Sequence, residues 1–317
     1  MQRMHEPLSF MCVISRGASV FSGMCYTSSM QFGVHVSIAG GIEHAPGRAR
    51  AVGADIFQIF SRSPRGGPFR ASDEAIAAFV ASCREHGYAH WYTHAPYYIT
   101  LASDNPIHFH GSISTLANEL EVAERMGTRF VITHLGSAKE RPKADGIDGV
   151  IKGLCKVAET QPLERLLLEI SAGSGNIVGD SLEDLATIME AVDGAGAGSS
   201  VARIIGGVCL DTCHLFAAGY DLRTAAGVDA LVAEVQRTIG LERVQCIHLN
   251  DSKYEFHAKK DRHALLGKGA IGDKGLQAFV QHKAFRDLDM ILETPYESDD
   301  DMRSELAHAR KLAGATG

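Results

Sequence analysis

Apolar residues along the chain fall into short dense runs, each followed by a longer stretch in which apolar positions recur at helical spacing. Phe32–Val36, Asp55–Phe60, Ala89–Thr93, Arg129–Thr133, Arg165–Leu168, Ile204–Leu210, Val244–Ile247 and Leu288–Leu292 read as strands. Their near-continuous apolarity suits strands covered on both faces, as in a parallel sheet. The stretches between read as helices: Ile42–Val52, Ser72–His86, His110–Met126, Ile147–Thr160, Ser181–Val192, Val228–Ile239, Gly275–Gln281 and Asp300–Leu312. Ser72 and Ser181 are placed to cap, and Gly87, Gly127 and Gly240 to stop. Strands alternating with helices in this way predict an α/β fold with one (β/α)8 TIM-type barrel over residues 31–317. Gly194–Ser200 reads as a small linker inside it.

Residues 1–30 lie outside the pattern. They read as a disordered extension, or as an upstream start with Met30 as the effective beginning. A weak organelle-type presequence is a third reading; the apolar stretch Leu8–Ile14 is too short for a secretory signal.

Composition narrows the class. The chain has 317 residues, 45% of them hydrophobic and 22% charged, enough for a full core. No apolar run approaches the ~20 residues that a membrane-spanning helix needs. The seven cysteines show no CxxC pair. That argues for reduced thiols in a cytosolic setting, with Cys209, Cys213 and Cys246 packing as small apolar groups. A formal net charge of −7 argues mildly against nucleic-acid binding.

The candidate chemistry lies where the strands end. The third strand runs into His94, the fourth into His134, the fifth into Glu169, the sixth into Asp211 with His214 close behind, the seventh into His248 and the eighth into Glu293. A lone strand-end histidine is usually a satisfied core residue. Six successive strands delivering such residues to one rim is a different matter, because the C-terminal rim of such a barrel carries its active site. Imidazoles and carboxylates converging there need a cation. Mixed nitrogen and oxygen donors favour zinc, with manganese or iron as alternatives. The loop Asp261-Arg262-His263 adds two more donors, giving nine candidates, too many for one ion. Clustered metals are the apparatus of phosphoester cleavage. A sugar isomerase or epimerase with one or two ions on the same barrel, and a catalytically inactive DNA- or metal-binding protein, also remain open. The first has no need of Asp261 and His263; the second would be expected to lack a ligand.

Several blocks carry a resemblance. They are Gly33-Val34-His35-Val36-Ser37-Ile38-Ala39-Gly40-Gly41, Phe57-Gln58-Ile59-Phe60-Ser61-Arg62-Ser63-Pro64-Arg65, His94–Tyr97 and Leu168-Glu169-Ile170-Ser171-Ala172-Gly173. Further along come Cys209–Tyr220, His248–Lys253, Asp261-Arg262-His263 and Ile291-Leu292-Glu293-Thr294. Through them the chain resembles the endonuclease IV family of apurinic/apyrimidinic endonucleases. The resemblance implies a three-zinc barrel that cuts DNA 5′ to an abasic site, leaving a 3′-hydroxyl and a 5′-deoxyribose phosphate, and that trims blocked 3′ ends.

The resemblance further implies a first zinc on His94, His134 and Glu169, and a second on Glu169, Asp211, His248 and Glu293. His214, Asp261 and His263 would hold a third, and Glu169 would orient the attacking water. Arg65 and Tyr97 would enter the DNA beside the lesion. The implied partner is double-stranded DNA bearing abasic sites or blocked 3′ ends, bound by a cytoplasmic monomer that contacts no membrane. Departures fall in loops: Ser171 to Asn176 differs from many relatives, and Gly66-Gly67 stands where a Trp often follows the Arg. Three zinc ions would bring the formal charge from −7 to near −1. Arg48, Arg50, Arg62, Arg65, Arg70, Lys253, Lys259, Lys260, Arg262 and Lys268 are expected near the rim, where they could meet phosphates.

Overall fold

The computed structural model describes residues 30–314, except 64–66, 68, 70, 162–163 and 197–202. Residues 1–29 of the expected extension, Arg65, Gly66, Arg70 and residues 197–200 of the expected linker lie outside the described residues. In chain order the strands are β1 (Phe32–His35), β2 (Ile56–Phe60), β3 (Tyr92–His94), β4 (Phe130–Thr133) and β5 (Leu166–Glu169). They continue as β6 (Ile205–Asp211), β7 (Val244–His248), β8 (Asp251–Ser252), β9 (His263–Ala264) and β10 (Asp289–Leu292). The helices are α1 (Ala45–Ala51), α2 (Asp73–Glu85), α3 (Pro106–Met126), α4 (Lys143–Ala158) and α5 (Leu182–Gly196). After them come α6 (Thr212–Ala218), α7 (Ala225–Thr238), α8 (Gly272–Val280) and α9 (Asp299–Leu312).

Eight strands close into a barrel in the order β1-β10-β7-β6-β5-β4-β3-β2, every neighbouring pair parallel, so the (β/α)8 expectation holds. β8 and β9 form a separate antiparallel ribbon with Asp251 opposite Ala264 and Ser252 opposite His263. Strand interiors are buried on both faces, which explains why they read as unbroken apolar runs. One packed layer lies between barrel and helices. A smaller one fills the barrel itself: Ile56, Tyr92, Ile132, Leu167, Cys209, Cys246 and Ile291, with Phe130 against it. Cys209 and Cys246 sit there in register. All five described cysteines are free thiols.

The helix boundaries follow their caps. Ser72 accepts from Ala75 N and Ser181 from Asp184 N, both as expected. α3 starts earlier than expected because Asn105 accepts from the amides of Ile107 and His108, with Pro106 in the first turn. α9 opens on a Ser298/Asp301 capping box. α6 is a helix the sequence pattern did not show: six of its seven residues, Thr212 to Ala217, are buried, so it has no polar face to mark it. β6 carries a bulge where the register with β5 steps from Ile205 to Gly207. A side chain at Gly207 would place its Cβ 2.1 Å from the Arg243 carbonyl oxygen, so only glycine lets β7 lie this close. Among the described residues no helix is long and apolar enough to cross a membrane.

Candidate metal centre

The C-terminal ends of the barrel strands bring their chemistry to one place. His94, Glu169, Asp211 and His248 are the last residues of β3, β5, β6 and β7, and His134 and Glu293 directly follow β4 and β10. His214 stands on α6, held by Asp211, whose Oδ1 caps that helix by accepting from His214 N at 2.8 Å. His263 opens β9, and Asp261 precedes it.

Glu169 is the centre of the cluster. Its Oε2 lies 2.9 Å from His94 Nε2 and 3.4 Å from His134 Nε2, and its Oε1 2.8 Å from His248 Nδ1 and 3.5 Å from His214 Nδ1. His248 Nδ1 also lies 3.3 Å from Glu293 Oε2 and 4.0 Å from Asp211 Oδ2. Asp261 Oδ1 lies 3.3 Å from His214 Nε2 and 3.5 Å from His263 Nε2, and the latter is 3.6 Å from Asp211 Oδ2.

The ring nitrogens are sorted by what they meet on their far sides. His94 Nδ1 donates to Ala95 O at 2.7 Å, His214 Nδ1 to Ile170 O at 2.9 Å and His263 Nδ1 to Glu293 O at 3.1 Å. A carbonyl oxygen only accepts, so each of these nitrogens carries the proton. His248 Nε2 is 2.9 Å from the Gln58 amide oxygen and is fixed likewise. In His94, His263 and His248 the opposite nitrogen then faces carboxylate oxygens, and His214 turns Nε2 to Asp261; each is the atom left to hold either a proton or a metal. Metal-binding histidines are oriented by this kind of outer hydrogen bond.

Charge is arranged to match. Burial opposes ionisation of Glu169, yet His134 and His248 hold it well below the usual carboxylate range. Burial also opposes charge on His248, but Glu293 and Glu169 carry it up to about 10. His214 is likewise raised, against burial, by Asp211 and Asp261, and Asp261 is drawn down to about 2 by His214 despite its own partial burial. His134 moves the other way, lowered chiefly by burial.

A divalent cation fits this donor set. Ligand atoms of His94, His134 and Glu169 lie within 4.8 Å of one another, as do those of Glu169, Asp211, His248 and Glu293. These are the first two sets expected from the sequence. The third set is arranged differently: Asp211 joins His214 and His263 in one such group, and Cys213 joins Asp261 and His263 in another. Cys213 was expected only to pack; it is buried, but its thiol also belongs to this corner. His134 Nδ1 and His263 Nε2 are buried with no hydrogen-bond partner among the described residues, a costly arrangement that a cation at His263 would relieve.

Beyond the cluster, Tyr97 is 58% exposed at the C-terminal rim, its ring 6.1 Å from that of His134 and inclined to it by 25°. Arg62 does not face a phosphate as expected. It is buried, with Nε 2.5 Å from Glu119 Oε1, and ties the loop after β2 to α3. Arg48 donates to the carbonyls of Ser37 and Ala39. Lys253, Lys259, Lys260, Arg262 and Lys268 are exposed in the segment after β7. Two supporting residues went unmarked in the sequence. Asn250 donates to Asp211 Oδ2 at 2.6 Å and accepts from Glu293 N at 2.9 Å, and Gln58 touches both His248 and Glu293. A polar residue inside an otherwise apolar strand was the available signal for Gln58.

The family model AP_endonuc_2, described as a xylose isomerase-like TIM barrel, matches residues 46–312. The chain is 39% identical over 286 residues to a probable endonuclease 4 of Methanoculleus marisnigri, covering 89% of this chain and 99% of that one. It is 37% identical to the probable endonuclease 4 of Halothermothrix orenii, over 88% and 98% of the two chains. The crystal structure of endonuclease IV from Thermus thermophilus superposes with a TM-score of 0.77 at 33% identity, over 90% of this chain and 99% of that one. D-psicose 3-epimerase shares the fold, with a TM-score of 0.65 at 14% identity. Through the family model and these relatives, the chain belongs to the endonuclease IV family of apurinic/apyrimidinic endonucleases.

Proposed function

We propose that the chain hydrolyses the DNA backbone 5′ to abasic sites, leaving a 3′-hydroxyl and a 5′-deoxyribose phosphate, and that it also trims blocked 3′ ends. One observation carries the reading furthest. His94, His214, His248 and His263 each commit one nitrogen to an oxygen behind them and present the other toward a carboxylate of the cluster.

In this reading His94, His134 and Glu169 hold one zinc, Glu169, Asp211, His248 and Glu293 a second, and His214, Asp261 and His263 a third. Bound zinc supplies the positive charge that activates water and neutralises the oxygens of a phosphodiester. Glu169 belongs to the first two sets and would orient the attacking water; it is the catalytic residue of this reading. Asp261 is more exposed than the other three carboxylates and faces the open side, where a phosphate would arrive. Tyr97, exposed beside His134, would stack beside the lesion. Arg65 is assigned to DNA from the resemblance alone. Double-stranded DNA is the partner, bound by a monomer in the cytoplasm, and the exposed Lys and Arg of the segment after β7 meet its phosphates.

An isomerase would need a metal near the barrel axis but has no leaving phosphate oxygen to neutralise. The contact between Asp261 and His214 supports the endonuclease instead. A metal analysis paired with a nicking assay on an abasic duplex tests the reading. Zinc with nicking is expected; sugar isomerisation without nicking would overturn it.

A further inference from the structure

Gln58 is fully buried in the middle of β2, an amide set in a run of apolar residues. Its side chain offers one acceptor and two donors, and the structure employs them all. Oε1 lies 2.9 Å from His248 Nε2, and Nε2 lies 2.6 Å from Glu293 Oε1 and 2.9 Å from His35 Nδ1. The orientation of the amide is dictated by its partners. A carboxylate oxygen only accepts, so the amide NH2 must face Glu293 and the carbonyl must face His248.

Two consequences follow for the cluster. His248 must donate from Nε2, which leaves Nδ1 as the atom it turns to Glu169 and Glu293. Glu293 has Oε1 occupied, which leaves Oε2 as the oxygen 3.3 Å from His248 Nδ1. One amide thus selects the inward atom of two side chains from different strands. The brace also spans the barrel's closing seam: Gln58 is on β2, its partners are on or beside β7 and β10, and β1 lies between β2 and β10. His35, from β1 itself, receives the second N–H and rests its ring 4.4 Å from Phe60, which keeps the amide from rotating.

We propose that Gln58 is a positioning residue that sets which atoms of His248 and Glu293 serve as ligands, with His35 holding the amide in register. The proposal rests on the zinc reading above. Gln58 touches neither DNA nor the reacting atoms in that reading, so its effect should run through metal affinity alone. Outer partners of this sort are typically worth ~10–100-fold in metal affinity.

The test compares the full-length zinc-loaded chain with Gln58→Leu and with Gln58→Met, the second keeping an unbranched side chain in case the first fails to fold. Zinc affinity is read by competition with a chromophoric chelator, folding by thermal melting, and turnover on an abasic duplex at graded free zinc. The expected result is a roughly 10–100-fold weaker affinity at one site. The variant kcat should fall at low free zinc and recover as zinc is raised, with KM for the duplex unmoved. Parental zinc affinity in a folded variant overturns the proposal. So does a loss of kcat that added zinc does not restore. A parent chain that holds no zinc overturns the metal reading instead, and this is seen before any variant is measured.

Discussion

Each end of this barrel buries negative charge beside imidazole, and the two solve the problem in opposite ways. At the N-terminal mouth Asp289, the first residue of β10, meets Tyr92, the first residue of β3, together with His90 and Arg129. Asp289 Oδ2 accepts from the Tyr92 hydroxyl at 2.5 Å, from His90 Nε2 at 2.6 Å and from Arg129 at 3.1 Å. One carboxylate faces three donors, and the chain's own protons and guanidinium balance it. At the C-terminal rim four carboxylates face five imidazoles, most of which have already committed one N–H elsewhere. A balanced cluster of this kind is architecture. A cluster in which the remaining ring nitrogens converge on several carboxylates, to be bridged by a proton or a metal, is a place for cations.

The largest expected effect comes from breaking the rim at its centre. Glu169→Gln should lower turnover by at least two orders of magnitude, since preorganised groups of this kind are often worth ~3–4 kcal/mol. The barrel should stay folded by circular dichroism while zinc content falls. A variant that keeps half its rate would make Glu169 a strand cap. The mirror experiment is Asp289→Ala at the mouth. Removing the acceptor strands His90 and Tyr92, and breaking such a buried cluster typically costs about 3 kcal/mol of stability. Zinc content should not change. Loss of zinc together with stability would mean that the two ends are not independent.

Asp261→Ala combined with His263→Ala should remove about one zinc, leave the others, and cripple phosphodiester cleavage. A double variant with its full metal complement and the parental nicking rate would return this corner to a solvated loop. Tyr97→Ala should weaken binding of abasic DNA, with stacking contacts worth ~1–3 kcal/mol, and leave zinc content alone. If metal is lost along with binding, Tyr97 supports the His94 loop and does not contact DNA.

The smallest effects concern pH and sharpen the contrast. Burial opposes the charge on Asp289, but His90 holds its carboxyl below the usual 3.8. It therefore lends stability that is complete above 3.8 and is lost as pH falls through the lower folded value. At the rim His248 is raised from 6.5 to about 10, against burial, by Glu293 and Glu169. In chelated protein its contribution is complete below 6.5 and is lost as pH rises through about 10. Melting curves of chelated protein should show that alkaline loss, and zinc-loaded protein should not, because the ion replaces the proton. Equal alkaline behaviour of the two forms would contradict the exchange.

Most of the site was legible because a parallel barrel makes strand ends converge. Once the strand after Ile204 was recognised, Asp211 had to point to the rim, and so did each counterpart. What stayed hidden depends on contacts that periodicity does not carry. α6 reads as a continuation of apolar chain because Thr212 to Ala217 are all buried. β8 and β9 are two residues long and exist through pairing alone. Arg62 looked like a rim cation, and only the buried Glu119 on α3 explains its true direction. Gln58 carries no metal-ligand chemistry of its own; its polarity inside an apolar strand marks it, but only its three partners reveal what it does.

The central claim is that the rim holds cations while the mouth is balanced without them. Zinc per chain, measured on dialysed parent protein beside Glu169→Gln and Asp289→Ala, tests it most directly. Close to three equivalents in the parent and in Asp289→Ala, fewer in Glu169→Gln, and no nicking by chelated parent is the predicted result. A parent that holds no tight zinc and nicks abasic DNA with added magnesium alone would contradict it, because magnesium prefers oxygen ligands and this rim offers five imidazoles.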